Sequence, residues 1–251
     1  MKTLIKKVFN SIGLEVTARN PSKDSLFENF PDLSDAERQI VSTVKPFTMT
    51  SVERIVCLIN AVSFIADNKI SGDIAECGVW RGGSMMTVAL TLLARNDTSR
   101  ELYLYDTFEG MSEPTDFDKS IDGISAKSQM EQAAGKWCYA SIEDVRENIL
   151  STGYPENKIF LVKGKVEDTI PKTAPANLSL LRLDTDWYES TKHELTHLYP
   201  RLSPEGILVI DDYGHWQGAR QAVDEYFAEQ KRKIYLHRID YTGRIAVGIN
   251  G

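Results

Sequence analysis

Gly72-Asp-Ile-Ala-Glu76-Cys-Gly78-Val-Trp80-Arg-Gly82-Gly83-Ser84 is a short apolar strand running into a glycine-containing turn, and residues 85–93 continue from it as an apolar helix. Glycine lets a backbone turn sharply and approach a ligand closely, and a loop that opens a helix offers unpaired N–H groups. Working outward, the same alternation repeats. Residues 102–105 form a second strand that ends on Asp106, 159–162 a third, 178–183 a fourth, and 206–210 a fifth that ends on Asp211-Asp212. Residues 234–237 and 244–247 form a closing pair. Before the first strand, Ile55, Leu58, Ile59, Val62 and Ile65 recur at the helical period. Residues 142–150, 191–199 and 219–227 supply further helices between the later strands. This pattern predicts an α/β fold with a mostly parallel, seven-stranded sheet and helices on both faces. In such sheets ligands bind outside the carboxyl ends of the strands, and Glu76, Asp106, Asp184 and Asp211-Asp212 each close one.

The chain has 251 residues, which suits one domain with an appended element: a helical extension over 1–45 and the main domain over 46–251. Residues 110–140 carry Pro114, Gly123, Gly135 and many charges with little periodicity, the character of a substrate lid. A formal net charge of −7 disfavours nucleic acid as a partner. No apolar run is long enough to span a bilayer, and the basic, amphipathic start Met1-Lys-Thr-Leu-Ile-Lys-Lys-Val-Phe9 lacks the apolar core of a secretory signal. It reads as a short helix covering the domain or a neighbouring subunit. A soluble cytoplasmic homo-oligomer without stable membrane insertion is expected. Cys57, Cys77 and Cys138 are spaced for neither a zinc site nor a disulfide framework.

The glycines at 78, 82 and 83 do not follow the dinucleotide fingerprint. Asp106, about thirty residues after Glu76, can accept both hydroxyls of a ribose, or serve simply as a helix cap. Glu76 has a role toward a ligand only if that ligand carries a cation, as a methionine ammonium or sulfonium does. Asp184, Asp186, Asp211 and Asp212 close two successive strands, and carboxylates gathered in one pocket repel one another. A divalent cation removes that cost, and oxygen-only donors suit Mg²⁺. Helix capping is the alternative use of these four residues.

Five stretches resemble the macrocin O-methyltransferase family, which includes deoxysugar O-methyltransferases of macrolide and aminocoumarin biosynthesis. They are Pro46-Phe-Thr-Met-Thr-Ser51-Val-Glu-Arg54, the Gly72–Ser84 stretch, Leu104-Tyr-Asp-Thr-Phe-Glu-Gly-Met111, Leu183-Asp-Thr-Asp-Trp-Tyr-Glu-Ser-Thr191 and Asp211-Asp-Tyr-Gly-His-Trp-Gln-Gly-Ala-Arg220. The resemblance implies a class I, Rossmann-like methyltransferase that uses S-adenosylmethionine. It places Thr48, Ser51, Glu76, Gly78, Trp80, Gly82 and Ser84 around the methionine moiety, Asp106 on the ribose, and Thr107 and Phe108 beside the adenosine. Gly164, Val166 and Glu167 would border the adenine.

By similarity to catechol-type and caffeoyl-coenzyme-A O-methyltransferases, Asp184, Asp211 and Asp212 match metal-binding positions. The lysine that catechol enzymes carry three residues past the first of these is Trp187 here. Proton removal is then expected from Asp184 or from His215, whose ordinary pKa suits a base. Asp186 is expected to face the acceptor, a small molecule bearing a sugar, and Trp137 and Tyr139 to wall it. His193 and His197 have zinc-like spacing but no surrounding Glu-plus-His motif. Three rivals stand beside this reading: an O-methyltransferase for catechols or phenols, a nicotinamide-dependent oxidoreductase, and a non-catalytic adenosylmethionine-binding module. Glu76 and the acidic quartet argue against the last two.

Overall fold

The computed structural model of the chain describes residues 26–133, 137–231 and 233–248. The expected helix over residues 1–9 lies outside them. Among the described residues, 26–34 fall in one compact unit and those from 35 to 248 in a second. In the first, backbone N–H groups of Phe30 and Leu33 donate to the carbonyls of Phe27 and Phe30. The helix α1 (Asp35–Val44) belongs to the second unit. That helix buries Ile40, Val41 and Val44.

The second unit is built on seven strands: β1 (Asp73–Cys77), β2 (Leu102–Asp106), β3 (Ile159–Lys163), β4 (Leu178–Leu183), β5 (Leu202–Ile210), β6 (His237–Arg238) and β7 (Arg244–Val247). They lie in the order β3-β2-β1-β4-β5-β7-β6. The first five are parallel, and β7 runs antiparallel to both β5 and β6. Chain order reverses between β1 and β4, and the carboxyl ends on either side of that reversal are the expected ligand position. The expected strand over 234–237 shrinks to the two-residue β6.

Alternation along the strands divides the side chains between two faces. Cys77, Leu181, Leu183, Leu208 and Ile210 pack with Leu195 and Leu198 of the α7 (Tyr188–His197) region and with Val223, Tyr226 and Phe227 of α8 (Gln217–Glu229). Arg182 and Val209, of the other parity, border a small space with Ile55 and Leu58 of α2 (Val52–Asp67) and Ser84 and Thr87 of α3 (Gly83–Ala94). Every residue of β4 is buried, the expected state of a central parallel strand. Ser51 caps α2, its Oγ accepting from Arg54 N at 3.2 Å, and Ser141 caps α5 (Ile142–Leu150) in the same way. Among the described residues no helix is long and apolar enough to cross a membrane.

The 110–140 segment is more structured than its sequence suggests. It contains α4 (Ala126–Gln132) and isolated antiparallel bridges pairing Lys119 with Ser125 and Ser120 with Trp216. Asp118 is fully buried and accepts from Thr115 N at 2.7 Å and Tyr188 N at 2.8 Å, which ties the segment to the start of α7. The short α6 (Val166–Thr169) follows β3.

The turn after β1 is the tightest point beside the sheet reversal. Gly78 has φ +80, and a Cβ there would lie 2.1 Å from the Asp184 carbonyl oxygen. Gly78→Ala is expected to cost about 1–3 kcal/mol through backbone strain alone, with the clash adding to it. Urea unfolding measures the loss, and wild-type stability would contradict so close an approach of the two loops.

Candidate active site

The carboxyl ends of β1, β2, β4 and β5 open onto a cavity of about 380 Å³. Thr48, Gly78, Trp80, Ser84 and Asp106 form one side of it. Asp184, Asp186, Asp211, Asp212 and His215 form another, with Trp137 and Trp216 beside them. A smaller space adjoins it, bordered by Gly78, Asp106, Thr107, Gly164, Val166, Glu167 and Asp184. Gly78, Asp106 and Asp184 thus stand where the two meet.

Asp106 does more in this structure than face a ligand. One oxygen accepts from Val79 N at 2.8 Å and Trp80 N at 3.1 Å, and the other from Phe108 N at 2.7 Å. It thereby holds two non-glycine residues in left-handed conformations, Trp80 at φ +46 and Phe108 at φ +52. Burial raises its carboxyl above the usual range, against the pull of those N–H donors.

Four residues expected at the cofactor line neither cavity. Ser51 is occupied as the α2 cap, and its hydroxyl donates to Asp240 at 2.7 Å. Gly82 is the left-handed N-cap of α3. Phe108 is buried. Glu76 is only 1 % exposed and pairs with the guanidinium of Arg182. The register makes this pairing inevitable, because Glu76 and Arg182 are direct neighbours on β1 and β4. Tyr139, expected on the acceptor wall, is exposed and also lies outside both cavities.

Arg182 was not singled out in the sequence, although a lone arginine in the apolar run Leu178–Leu183 is a signal of buried charge. Besides Glu76 it meets Asp184 at 2.7 Å and Asp211 at 2.5 Å. Asp211's other oxygen pairs with Arg54, whose Nε lies 3.0 Å from Asp240. Asp211 was expected among the metal ligands. Here both of its oxygens are taken by guanidiniums, and Asp186 stands in its place. Asp184, Asp186 and Asp212 each offer an oxygen within 4.8 Å of the others.

Asp184 shares Arg182 with Glu76 and Asp211, and Asp186 and Asp212 have no ion pair among the described residues. Burial pushes Asp186 up to about 7, and raises Asp184 and Asp212 well above the usual carboxylate range, with neighbouring carboxylates adding to the effect at each. Asp212 Oδ2 is buried without a hydrogen-bond partner among the described residues. An acceptor oxygen without a donor, beside two more carboxylates, fits a hard divalent cation. The donor set that fits such an ion is thus Asp184, Asp186 and Asp212, whereas both oxygens of Asp211 already meet guanidiniums.

His215 Nδ1 lies 2.7 Å from the Tyr241 hydroxyl, and burial lowers its pKa. Trp137, Trp187 and Trp216 form an aromatic cluster, with centroids 5.0–6.0 Å apart. Trp187 Nε1 donates to Ser112 O at 3.0 Å. The position that would hold a lysine in a catechol enzyme instead anchors the 110–140 segment. Trp216 and Tyr241 were not singled out in the sequence, because nothing local separates them from ordinary core and surface aromatics.

Residues 17–246 match the family described as Macrocin-O-methyltransferase (TylF). The chain is 31 % identical over 243 residues to an 8-demethyl-8-(2,3-dimethoxy-alpha-L-rhamnosyl)-tetracenomycin-C 4'-O-methyltransferase of Streptomyces olivaceus, covering 96 % of this chain and 89 % of that protein. It is 34 % identical over 179 residues to a mycinamicin III 3''-O-methyltransferase of Micromonospora griseorubida, covering 71 % and 69 %. Among solved structures, the O-methyltransferase NovP superposes with a TM-score of 0.72 at 30 % identity, over 80 % of this chain and 81 % of that one.

The raised carboxyls give the cation-free protein a defined pH dependence. Burial also pushes Glu76 up to about 7, since three carboxylates share the Arg182 guanidinium. Glu76 and Asp186 therefore keep protons in the native state that the unfolded chain releases near 4.5 and 3.8. The native state binds more protons across that window, so stability falls as pH rises. Their contribution is complete below the unfolded values and is lost as pH passes about 7. Thermal unfolding in chelator between pH 4 and 8 is expected to show this decline. Glu76→Gln should flatten it, and an unchanged slope would count against a proton on Glu76.

Proposed function

The chain belongs to the macrocin O-methyltransferase family and is an S-adenosylmethionine-dependent O-methyltransferase; on that premise we propose that it methylates a sugar hydroxyl of a small glycosylated acceptor, with Mg²⁺ held by Asp184, Asp186 and Asp212. The observation that carries this reading is the acidic trio at the junction of the two cavities, where Asp184 borders both. The relatives whose names specify rhamnosyl and mycinamicin substrates favour a sugar over a catechol.

S-adenosylmethionine supplies an electrophilic methyl on a sulfonium, and a bound divalent cation lowers the pKa of a hydroxyl beside it. The chain's own residues do the rest. The Gly78 turn would face the methionine end, and Asp106 holds that loop while bordering both spaces. Gly164, Val166 and Glu167 line the smaller space, which would take the adenine end. Trp137 gives the sugar a flat apolar wall beside the acidic trio. The acceptor proton passes to His215 or to Asp184. Burial keeps the imidazole neutral and thus able to accept a proton. The freed oxygen pair would form the new bond to the methyl carbon while the carbon–sulfur bonding pair stays on the sulfur, which leaves as a neutral thioether. Holding hydroxyl and methyl in line contributes much of the acceleration.

Chelation by EDTA is expected to abolish turnover, Mg²⁺ to restore it, and S-adenosylhomocysteine affinity to stay nearly constant. Asp184→Asn and Asp212→Asn should each lower kcat by ~100-fold or more, on the scale of removing a charge stabiliser at a reacting centre. Full activity in exhaustive chelator, with wild-type rates for both variants, would rule out the metal. Trp137→Ala should raise KM for a glycoside acceptor and spare S-adenosylmethionine. A screen in which catechols outperform every glycoside would overturn the sugar assignment.

A further inference from the structure

Glu194 lies on α7, is fully buried, and takes no part in the chemistry above. It sits among Cys77, Leu195 and Leu198, an apolar layer in which a carboxyl is costly unless something compensates it. Its Oε1 accepts a hydrogen bond from the Thr185 hydroxyl at 2.9 Å, and the Cys77 thiol stands beside the carboxyl as a second, weak donor. Burial raises the group well above the usual carboxylate range.

Thr185 separates Asp184 from Asp186. The chain leaves β4 through a sharp turn in which Asp184 N donates to Cys77 O at 2.9 Å and Trp187 N donates to Thr185 O at 2.8 Å. Within it Asp186 adopts φ +70, a left-handed conformation unfavourable for a residue with a Cβ. Such a conformation persists only where its surroundings over-determine it. Backbone bonds hold the turn at its ends, and Glu194 grips the Thr185 side chain at its middle.

We infer that Glu194 is a positioning residue of the acidic centre: acting through the Thr185 hydroxyl, it holds the left-handed Asp186 turn so that Asp184 and Asp186 present their carboxylates together. This inference rests on the reading of that centre as a cation site. Glu194 touches neither acceptor nor cofactor in this scheme.

The test compares wild type with Glu194→Ala, Glu194→Gln and Thr185→Val. Mg²⁺ affinity is read by calorimetry on cofactor-free protein, folding by thermal unfolding, and turnover by kcat against KM for S-adenosylmethionine. Glu194→Ala and Thr185→Val are expected to weaken Mg²⁺ binding by about 10- to 100-fold, the range for losing a group that orients a ligand. Glu194→Gln keeps an oxygen acceptor for Thr185 and should restore binding. If Glu194→Ala fails to fold, Thr185→Val, which removes only the hydroxyl at nearly constant volume, decides the matter. Folded variants with wild-type Mg²⁺ affinity overturn the inference. A wild type that binds no Mg²⁺ overturns the cation reading alone. In that case a kcat loss in Glu194→Ala, recovered in Glu194→Gln at constant KM, sustains the positioning role, and an equal kcat in all three defeats it.

Discussion

The ion cluster around Arg182 is the constraint on which the rest of the site depends. Its guanidinium lies inside a fully buried strand and meets Glu76 on the neighbouring strand, Asp184 at the end of its own, and Asp211 at the end of the next. Three strand ends are thereby tied to one charge. Arg54 extends the chain of pairs from Asp211 to Asp240, joining α2 to the turn before β7. Such a cluster adds little net stability, since desolvation offsets much of the attraction, but removing one partner strands the others. Its contribution is geometric: it fixes which carboxylates turn inward and which are left to face the cavity.

The same division explains the strain around the cleft. Trp80, Phe108 and Asp186 all take left-handed conformations; Trp80 and Asp186 follow the two strands that flank the sheet reversal, and Phe108 follows β2, the neighbour of β1. Residues of this kind are held by polar groups drawn from elsewhere in the fold. Asp106 holds the first two through backbone N–H donors, and the third lies in the turn that Thr185 and Glu194 secure. A site shaped by strained backbone on one side and buried charge on the other has little freedom to rearrange, which suits a reaction that depends on alignment.

The sheet was legible because buried parallel strands read as continuous apolar runs, and each of the first five was found within a few residues of its place. Asp106 and Asp184 were legible for the same reason, as polar residues that close such runs. Asp211 and Asp212 both line the cavity, but Arg54 and Arg182 engage both oxygens of the first while the second keeps an oxygen without a partner among the described residues, a difference that the sequence pair does not announce. A left-handed residue brings Asp186 back to the side of Asp184, and no local sequence feature announces it. Glu76 followed the register of β1 against β4, which pairwise spacing along the chain does not contain. The tryptophan cluster joins residues 137, 187 and 216, three separate segments that only the fold brings together.

Charge balance links the buried cluster to the proposed chemistry. Six carboxyls (Glu76, Asp184, Asp186, Asp211, Asp212 and Asp240) adjoin two guanidiniums, Arg54 and Arg182. Asp211 is paired by Arg54 and Arg182 and Asp240 by Arg54, and Glu76 moderates its own excess because burial lets it hold a proton near neutrality. Asp186 and Asp212 have no basic partner of this kind. Burial raises both of them as it raises Glu76, and a divalent cation is the group that would relieve the repulsion left among them and Asp184. Were the centre filled by a lysine instead, a single positive charge would leave a carboxylate unbalanced and close the space the acceptor needs. The place such a lysine would occupy holds Trp187, which points its indole N–H at Ser112 and leaves the acidic trio open to the cavity.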